Sequence, residues 1–166
     1  MWKKVSVYDL PYNVFQEINK NWTLVSAKHP QGMVNTMTAS WGMMGEMWGK
    51  EAVTIYLRQH RYTREFIDAQ EYFTISLFDG YKKELGVLGT KSGRDCDKIA
   101  EVGFDVELVE GQPTFAQSKC VFICKKMYQD DIPVSAMKQE LVDRWYGDGD
   151  FHTMYIAEIV SCYINE

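Results

Sequence analysis

At 166 residues the chain has the length of one ordinary domain, and its composition (46% hydrophobic, 14% aromatic, 25% charged) suits a packed core and excludes a disordered chain. A formal net charge of -5 repels polyanions, which argues against nucleic acid as a partner. No apolar run approaches the roughly 20 residues that a bilayer requires, and Met1 to Asp9 lacks a basic segment followed by an apolar one. No membrane association and a cytoplasmic location are therefore expected. Cys96, Cys120, Cys124 and Cys162 form no Cys-x-x-Cys pair, and no His-x(3-5)-His partner completes a zinc pattern, so reduced thiols and no metal are expected.

No internal repeat, low-complexity tract or Pro/Gly/Ser-rich linker divides residues 1–166, so one domain is expected. In chain order, Trp22 to Ala27 alternates and runs into the turn cluster Lys28-His29-Pro30-Gln31-Gly32, which predicts a strand leaving into a loop. Ala52 to Leu57 is β-branched and aromatic and predicts a second strand; Arg61 to Ala69 follows, with Tyr62, Phe66 and Ala69 at helical spacing. Tyr72 to Leu77 predicts another strand, Asp97 to Val102 a short helix stopped by Gly103, and Phe104 to Val109 and Cys120 to Cys124 further strands. Ser135 to Trp145 carries Met137, Leu141, Val142 and Trp145 on one helical face, and Thr153 to Ile164 is a final strand. Strands that do not alternate with long helices suit a mainly β, mostly antiparallel barrel with helices outside it.

Three segments have the composition to carry chemistry. Val34-Asn35-Thr36-Met37-Thr38-Ala39-Ser40-Trp41-Gly42 crowds small hydroxyl and amide side chains into a strand and its exit, where a flat ligand can approach the backbone. A strand with Thr and Ser on a solvated face is the plainer alternative. Arg58-Gln59-His60-Arg61-Tyr62-Thr63-Arg64 concentrates three arginines with no acid in an acidic chain, at a strand-to-helix junction where Arg58 and Thr63 can converge on a phosphate. A solvated basic turn fits equally well. Gly86 to Asp95 superficially resembles a P-loop, yet Thr90 separates Gly89 from Lys91, so the required Gly-Lys-Ser/Thr run is missing. This glycine-containing stretch is either a second anion contact through Lys91, Ser92 and Arg94 or an ordinary helix exit and turn. Gly-x-Gly-x-x-Gly is absent, so a nicotinamide would have to bind transiently over another cofactor. His29, His60 and His152 are dispersed, with His152 expected in the core, the alternative being that it faces a bound ring from the terminal strand or from a partner subunit, and no serine sits in a nucleophile elbow. Trp41, Met43, Met44, Met47 and Trp48 form a soft patch suited to a flat-ligand pocket, a core or a dimer interface.

Read in order, Asn35-x-Met37-Thr38-Ala39-Ser40-Trp41, Arg58 to Arg64, and Ser92-Gly93-Arg94-Asp95-x-Asp97-Lys98 resemble the flavin reductase-like, FMN-binding split-barrel family, and most nearly its short flavoredoxin-like members. The resemblance runs from about Trp22 to the terminal strand with His152 to Val160. It implies a six-stranded antiparallel Greek-key split barrel with flanking helices, usually a homodimer holding FMN near the subunit interface. It assigns cofactor binding to Asn35, Met37, Thr38, Ala39, Ser40, Trp41, Arg58, Tyr62, Thr63, Lys91 and Ser92. Of these, Met37 to Trp41 would line the ring, with the Thr38 and Ser40 hydroxyls at its polar edge, and Arg58 to Thr63 would contact phosphate and ribityl. The activity it implies is electron transfer from NAD(P)H or another donor through FMN to an acceptor; the alternative is an electron carrier reduced and oxidised by redox partner proteins, with no substrate site of its own. Tryptophan after the Thr-Ala-Ser core and Met43-Met44-Gly45 in place of a Ser/Thr-rich run depart from the commoner pattern. No catalytic residue is assigned.

Overall fold

The computed structural model describes residues Met1 to Glu166. In chain order the strands and α-helices are β1 (Trp2–Val5), β2 (Thr23–Lys28), β3 (Val34–Ala39), β4 (Gly42–Met47), β5 (Lys50–Arg58), α1 (Tyr62–Asp68), β6 (Tyr72–Leu77), α2 (Lys82–Thr90), α3 (Lys98–Glu101), β7 (Val106–Val109), β8 (Gln112–Phe115), β9 (Cys120–Asp131), α4 (Gln139–Trp145) and β10 (His152–Asn165).

The two longest strands carry the architecture. β9 and β10 pair antiparallel from Cys120 opposite Ile164 to Asp131 opposite Thr153, with register shifts at Ile156/Ala157 and Ile159/Ser161 that let so long a pair coil. The first half of β10 also pairs with β5 and its second half with β1. Sheet order is β3-β2-β6-β9-β10-β5-β4, with every neighbouring pair antiparallel. β3 and β4 are thus the two outermost strands of that order, yet only Ser40 and Trp41 separate them in the chain. So short a connection forces the sheet to curl until its edges face each other without pairing, which is the geometry of a split barrel. β4 returns as β5 through Trp48 and Gly49, both at positive φ (54° and 73°), as a tight two-residue hairpin turn requires.

Inward-facing residues of these strands form a core around Val25, Leu57, Phe73, Leu77 and Tyr155. Each fully buried aliphatic or phenyl side chain there contributes about 1.5–3 kcal/mol by leaving water. A second cluster, Leu24, Phe78, Leu85, Leu88, Phe104 and Phe115, seats α2 outside the barrel. α1 packs on β2 and β3, and α2 on β3, so both helices lean on the strand at one lip of the split.

Several expectations shift. The six-stranded barrel is an eight-stranded sheet with a separate β7–β8 hairpin. β4 was the soft Met43-Met44-Met47 patch of the sequence, and it is a true strand. The predicted helix from Ser135 begins at Gln139, because Val134–Ala136 forms a separate helical turn, and no residue of α4 is buried. Phe104 precedes its strand and packs instead on Phe78 and Phe115. No helix is long and apolar enough to cross a membrane.

Candidate functional site

Two cavities lie side by side along the β3 lip of the split. The first, about 250 Å³, is lined by Met37 to Trp41, Tyr56, Arg58, Arg61, Trp145 and His152. The second, also about 250 Å³, is lined by Asn35, Met37, His60 to Thr63, Thr90 to Asp95 and Lys98. Met37 and Arg61 belong to both, so they form one continuous site with an aromatic end and a polar end. Every residue that the resemblance assigned to cofactor binding lines one end or the other.

At the aromatic end, β3 presents its backbone and small side chains. Ala39 is buried and Ser40 exposed. The Thr38 hydroxyl donates to the Leu85 carbonyl of α2 at 2.5 Å, so its proton is committed to the helix. That contact needs Gly89: a Cβ there would stand 3.0 Å from the Thr38 Cβ. Trp41 meets Trp145 edge-on at 5.0 Å and His152 at 5.0 Å, making an aromatic wall from three separate parts of the chain. His152 Nδ1 is 2.7 Å from the Tyr146 hydroxyl. Burial, followed by the nearby Arg58, lowers the His152 pKa to about 4, so the imidazole is uncharged at neutral pH.

Arg58 stands at this end and not among the polar-end residues. Its guanidinium donates to the Asp150 carbonyl (2.8 Å) and the Trp145 carbonyl (2.9 Å), pairs with Asp148 at 3.4 Å and lies over the Tyr146 ring. The Gly147-Asp148-Gly149-Asp150 turn is therefore an arginine-held corner that brings α4 and Trp145 to the cavity.

At the polar end, buried Asn35 donates through Nδ2 to the Thr63 hydroxyl at 3.0 Å, locking β3 to α1. A Cβ on Gly93 would collide with Asn35 Oδ1 and stand 3.2 Å from the Tyr62 ring, so the loop after α2 fits only because this position is glycine. Lys91 pairs with Glu101, and Arg94 pairs with Glu65 while stacking on Tyr62. The two remaining cations have no carboxylate partner: Arg61 donates to the Gly89 carbonyl at 2.6 Å, and Lys98 to the carbonyls of Leu88 (2.8 Å) and Lys91 (3.0 Å). Burial lowers the pKa of both, that of Lys98 to about 8 with Arg61 adding to the effect. Two partly desolvated positive charges facing one cavity favour a dianion of small size.

Arg61, Lys98, Tyr56, Trp145 and His152 were not among the assigned site residues. Arg61 stood in the basic window, Lys98 in the third motif and His152 in the terminal strand as a residue that could face a ring, so these were within view; Tyr56 and Trp145 reach the site only through the fold. Beyond the aromatic end, through Ser40, Trp41 and Tyr56, a trough of about 890 Å³ continues over Phe15, Ile18, Met43 and Met44, and no charged side chain lines it.

Among curated proteins none is a significant match. Solved structures share the fold. An FMN-binding domain of a flavin reductases-like enzyme from Shewanella baltica OS155 superposes with a TM-score of 0.69 at 20% identity, covering 99% of this chain and 77% of that one. The flavoredoxin of Desulfovibrio vulgaris (Miyazaki F) gives 0.67 at 21% identity, with 99% and 78% covered. The styrene monooxygenase flavin reductase of Pseudomonas putida S12 gives 0.64 at 18%, with 88% and 79% covered. The model of the flavin reductase like domain matches residues 15–166, and the chain therefore belongs to the flavin reductase-like family.

Proposed function

We propose that the protein binds FMN, with the ring at the aromatic end and the phosphate at the polar end, and works as an oxidoreductase passing electrons from NAD(P)H or another donor to an acceptor. The observation that carries this reading is the charge arrangement of the polar end. A phosphate monoester carries about −1.5 to −2 at pH 7, which matches the two cations, Arg61 and Lys98, that have no carboxylate partner. FMN, when bound, supplies one- and two-electron transfer through its ring, and the protein supplies placement and polarity.

The chain's own groups divide the work. Ala39 leaves room for a flat ring against the β3 backbone, and the exposed Ser40 hydroxyl is free to hydrogen-bond its edge. Trp41, Trp145 and uncharged His152 exclude water from one side. Arg61, standing in both cavities, sets the distance between ring and phosphate. Asn35, Thr63 and Gly93 hold the polar end in shape, and Lys91 and Ser92 sit at its rim.

A second copy of the chain fits the apolar trough, where Phe15 is 84% and Met43 63% exposed, and would make the homodimer that the family resemblance implies.

The absorbance spectrum of the purified protein, with FMN and riboflavin titrations, tests the cofactor; light scattering tests the dimer. Anaerobic addition of NADH and NADPH to the holoprotein separates enzyme from carrier: bleaching by either supports the enzyme, and reduction only by a protein partner supports the carrier. Equal affinity for FMN and riboflavin would remove the phosphate assignment.

A further inference from the structure

We propose that Tyr146 is a positioning residue that holds His152 as an uncharged imidazole with its Nε2–H facing the ring-side cavity. His152 is 7% exposed and opens only onto that cavity among those described. Its Nδ1 lies 2.7 Å from the Tyr146 hydroxyl. Two proton arrangements are possible across that contact. If Nδ1 carried the hydrogen and donated it, both the phenol O–H and the Nε2 lone pair would be left to water, because neither has another partner in the protein. If the phenol donates to Nδ1, its proton is satisfied, the imidazole hydrogen resides on Nε2, and that N–H is the one group left to the cavity. Nε2 has no protein partner, and no buried side-chain nitrogen or oxygen is left without one, so Nε2 is open to the cavity.

The surroundings enforce the same choice. Burial raises the Tyr146 pKa, and Arg58, 5.5 Å from the ring centre, opposes that rise, so the phenol keeps its proton at neutral pH and can donate it. Burial, Arg58 and Arg61 oppose a second proton on the imidazole; the opposing acids are Asp150, engaged by His60, and Asp148, engaged by Arg58. The site thus gains a fixed neutral N–H donor beside Trp41. The use of that donor toward a bound ring edge rests on the flavin reading, whereas the tautomer does not.

The test begins on the protein without flavin. Imidazole nitrogen resonances are recorded at pH 7, with the His152 set identified among the three histidines by its loss in His152→Gln. A pyridine-like Nδ1 and a pyrrole-like Nε2 are expected; a protonated Nδ1 or an imidazolium overturns the proposal. Tyr146→Phe is expected to shift His152 toward a mixture of tautomers, and an unchanged signal overturns the role of Tyr146. Should that variant not fold, 3-fluorotyrosine labelling strengthens phenol donation without changing shape: the Nδ1 resonance moves, or the proposal fails. Added FMN is then expected to shift the Nε2 resonance. Bound FMN that leaves Nε2 unmoved refutes the donor role, and failure of any flavin to bind refutes the flavin reading while leaving the tautomer result intact.

Discussion

Replacing Lys98 with Met is expected to separate FMN from riboflavin. Nζ spends two of its three N–H groups on the carbonyls of Leu88 and Lys91, leaving one for the polar cavity, and the residue is 3% exposed. A charge-assisted hydrogen bond of this kind is worth about 1.5–3 kcal/mol, so K98M should weaken FMN by roughly 10- to 150-fold. Riboflavin, with the same ring and no phosphate, should change by less than about twofold. Quenching of flavin fluorescence at pH 7 measures both. The same lysine predicts a pH signature in the protein without flavin. Its pKa falls in the folded state from 10.5 to about 8, so between those values the unfolded chain holds a proton that the folded chain has partly shed. Stability should therefore rise from pH 8 to 10.5, with the destabilisation complete below pH 8. The span is at most about 3 kcal/mol, reduced by water screening at the cavity mouth. K98M should remove the slope, and saturating FMN should flatten it by supplying the missing counter-charge. Equal losses for both flavins, together with an unchanged slope, would refute the reasoning.

Arg58→Ala should weaken FMN and riboflavin by similar factors, because Arg58 holds the corner beside the ring; selective loss of FMN in the same fluorescence titration would return it to the phosphate. Gly93→Ala should lower FMN affinity at least tenfold by driving the loop away from Asn35 and Tyr62, and calorimetric titration with an unchanged dissociation constant would contradict that fit. His152, with its pKa depressed from 6.5 to about 4, contributes stability that is lost as pH falls through that window, because the unfolded chain takes up its proton first. Melting temperatures from pH 7 to 4 should fall less steeply in His152→Gln than in the wild type.

The strands were legible where β-branched and aromatic runs were bounded by turn residues: Tyr72 to Leu77 coincides with β6, and β3 and β5 lie close to their expected bounds. α2 was obscured by Gly86 and Gly89, which lower helix propensity, yet Gly89 is required by the close approach of Thr38. β4 was hidden because methionines between glycines carry little strand signal. Asn35 to Trp41 and the basic window were visible as unusual compositions, since small polar groups at a strand exit and arginines without acids are local features. Which arginine faces which cavity is not local. Arg58 and Arg61 stand three positions apart, and their separate duties are decided by the Asp150 corner and by the Gly89 carbonyl, both far away in the chain. Lys98 was visible as part of the third motif, but its burial was not, because lysine is expected at the surface.

The unpaired lips of the split set where the fold breathes. β9 and β10 each have partners on both sides, whereas β3 and β4 each have one, and α1 and α2 brace only the β3 lip. β4, paired only with β5, is therefore the less braced lip of the barrel and lies beside the entrance to the aromatic end. Amide hydrogens of Gly42 to Met47 should exchange with solvent well ahead of those in β9, by openings that do not require global unfolding. A flat ligand can enter through such an opening while β5 stays paired to β10, so loading of the site would be governed by the movement of one edge strand.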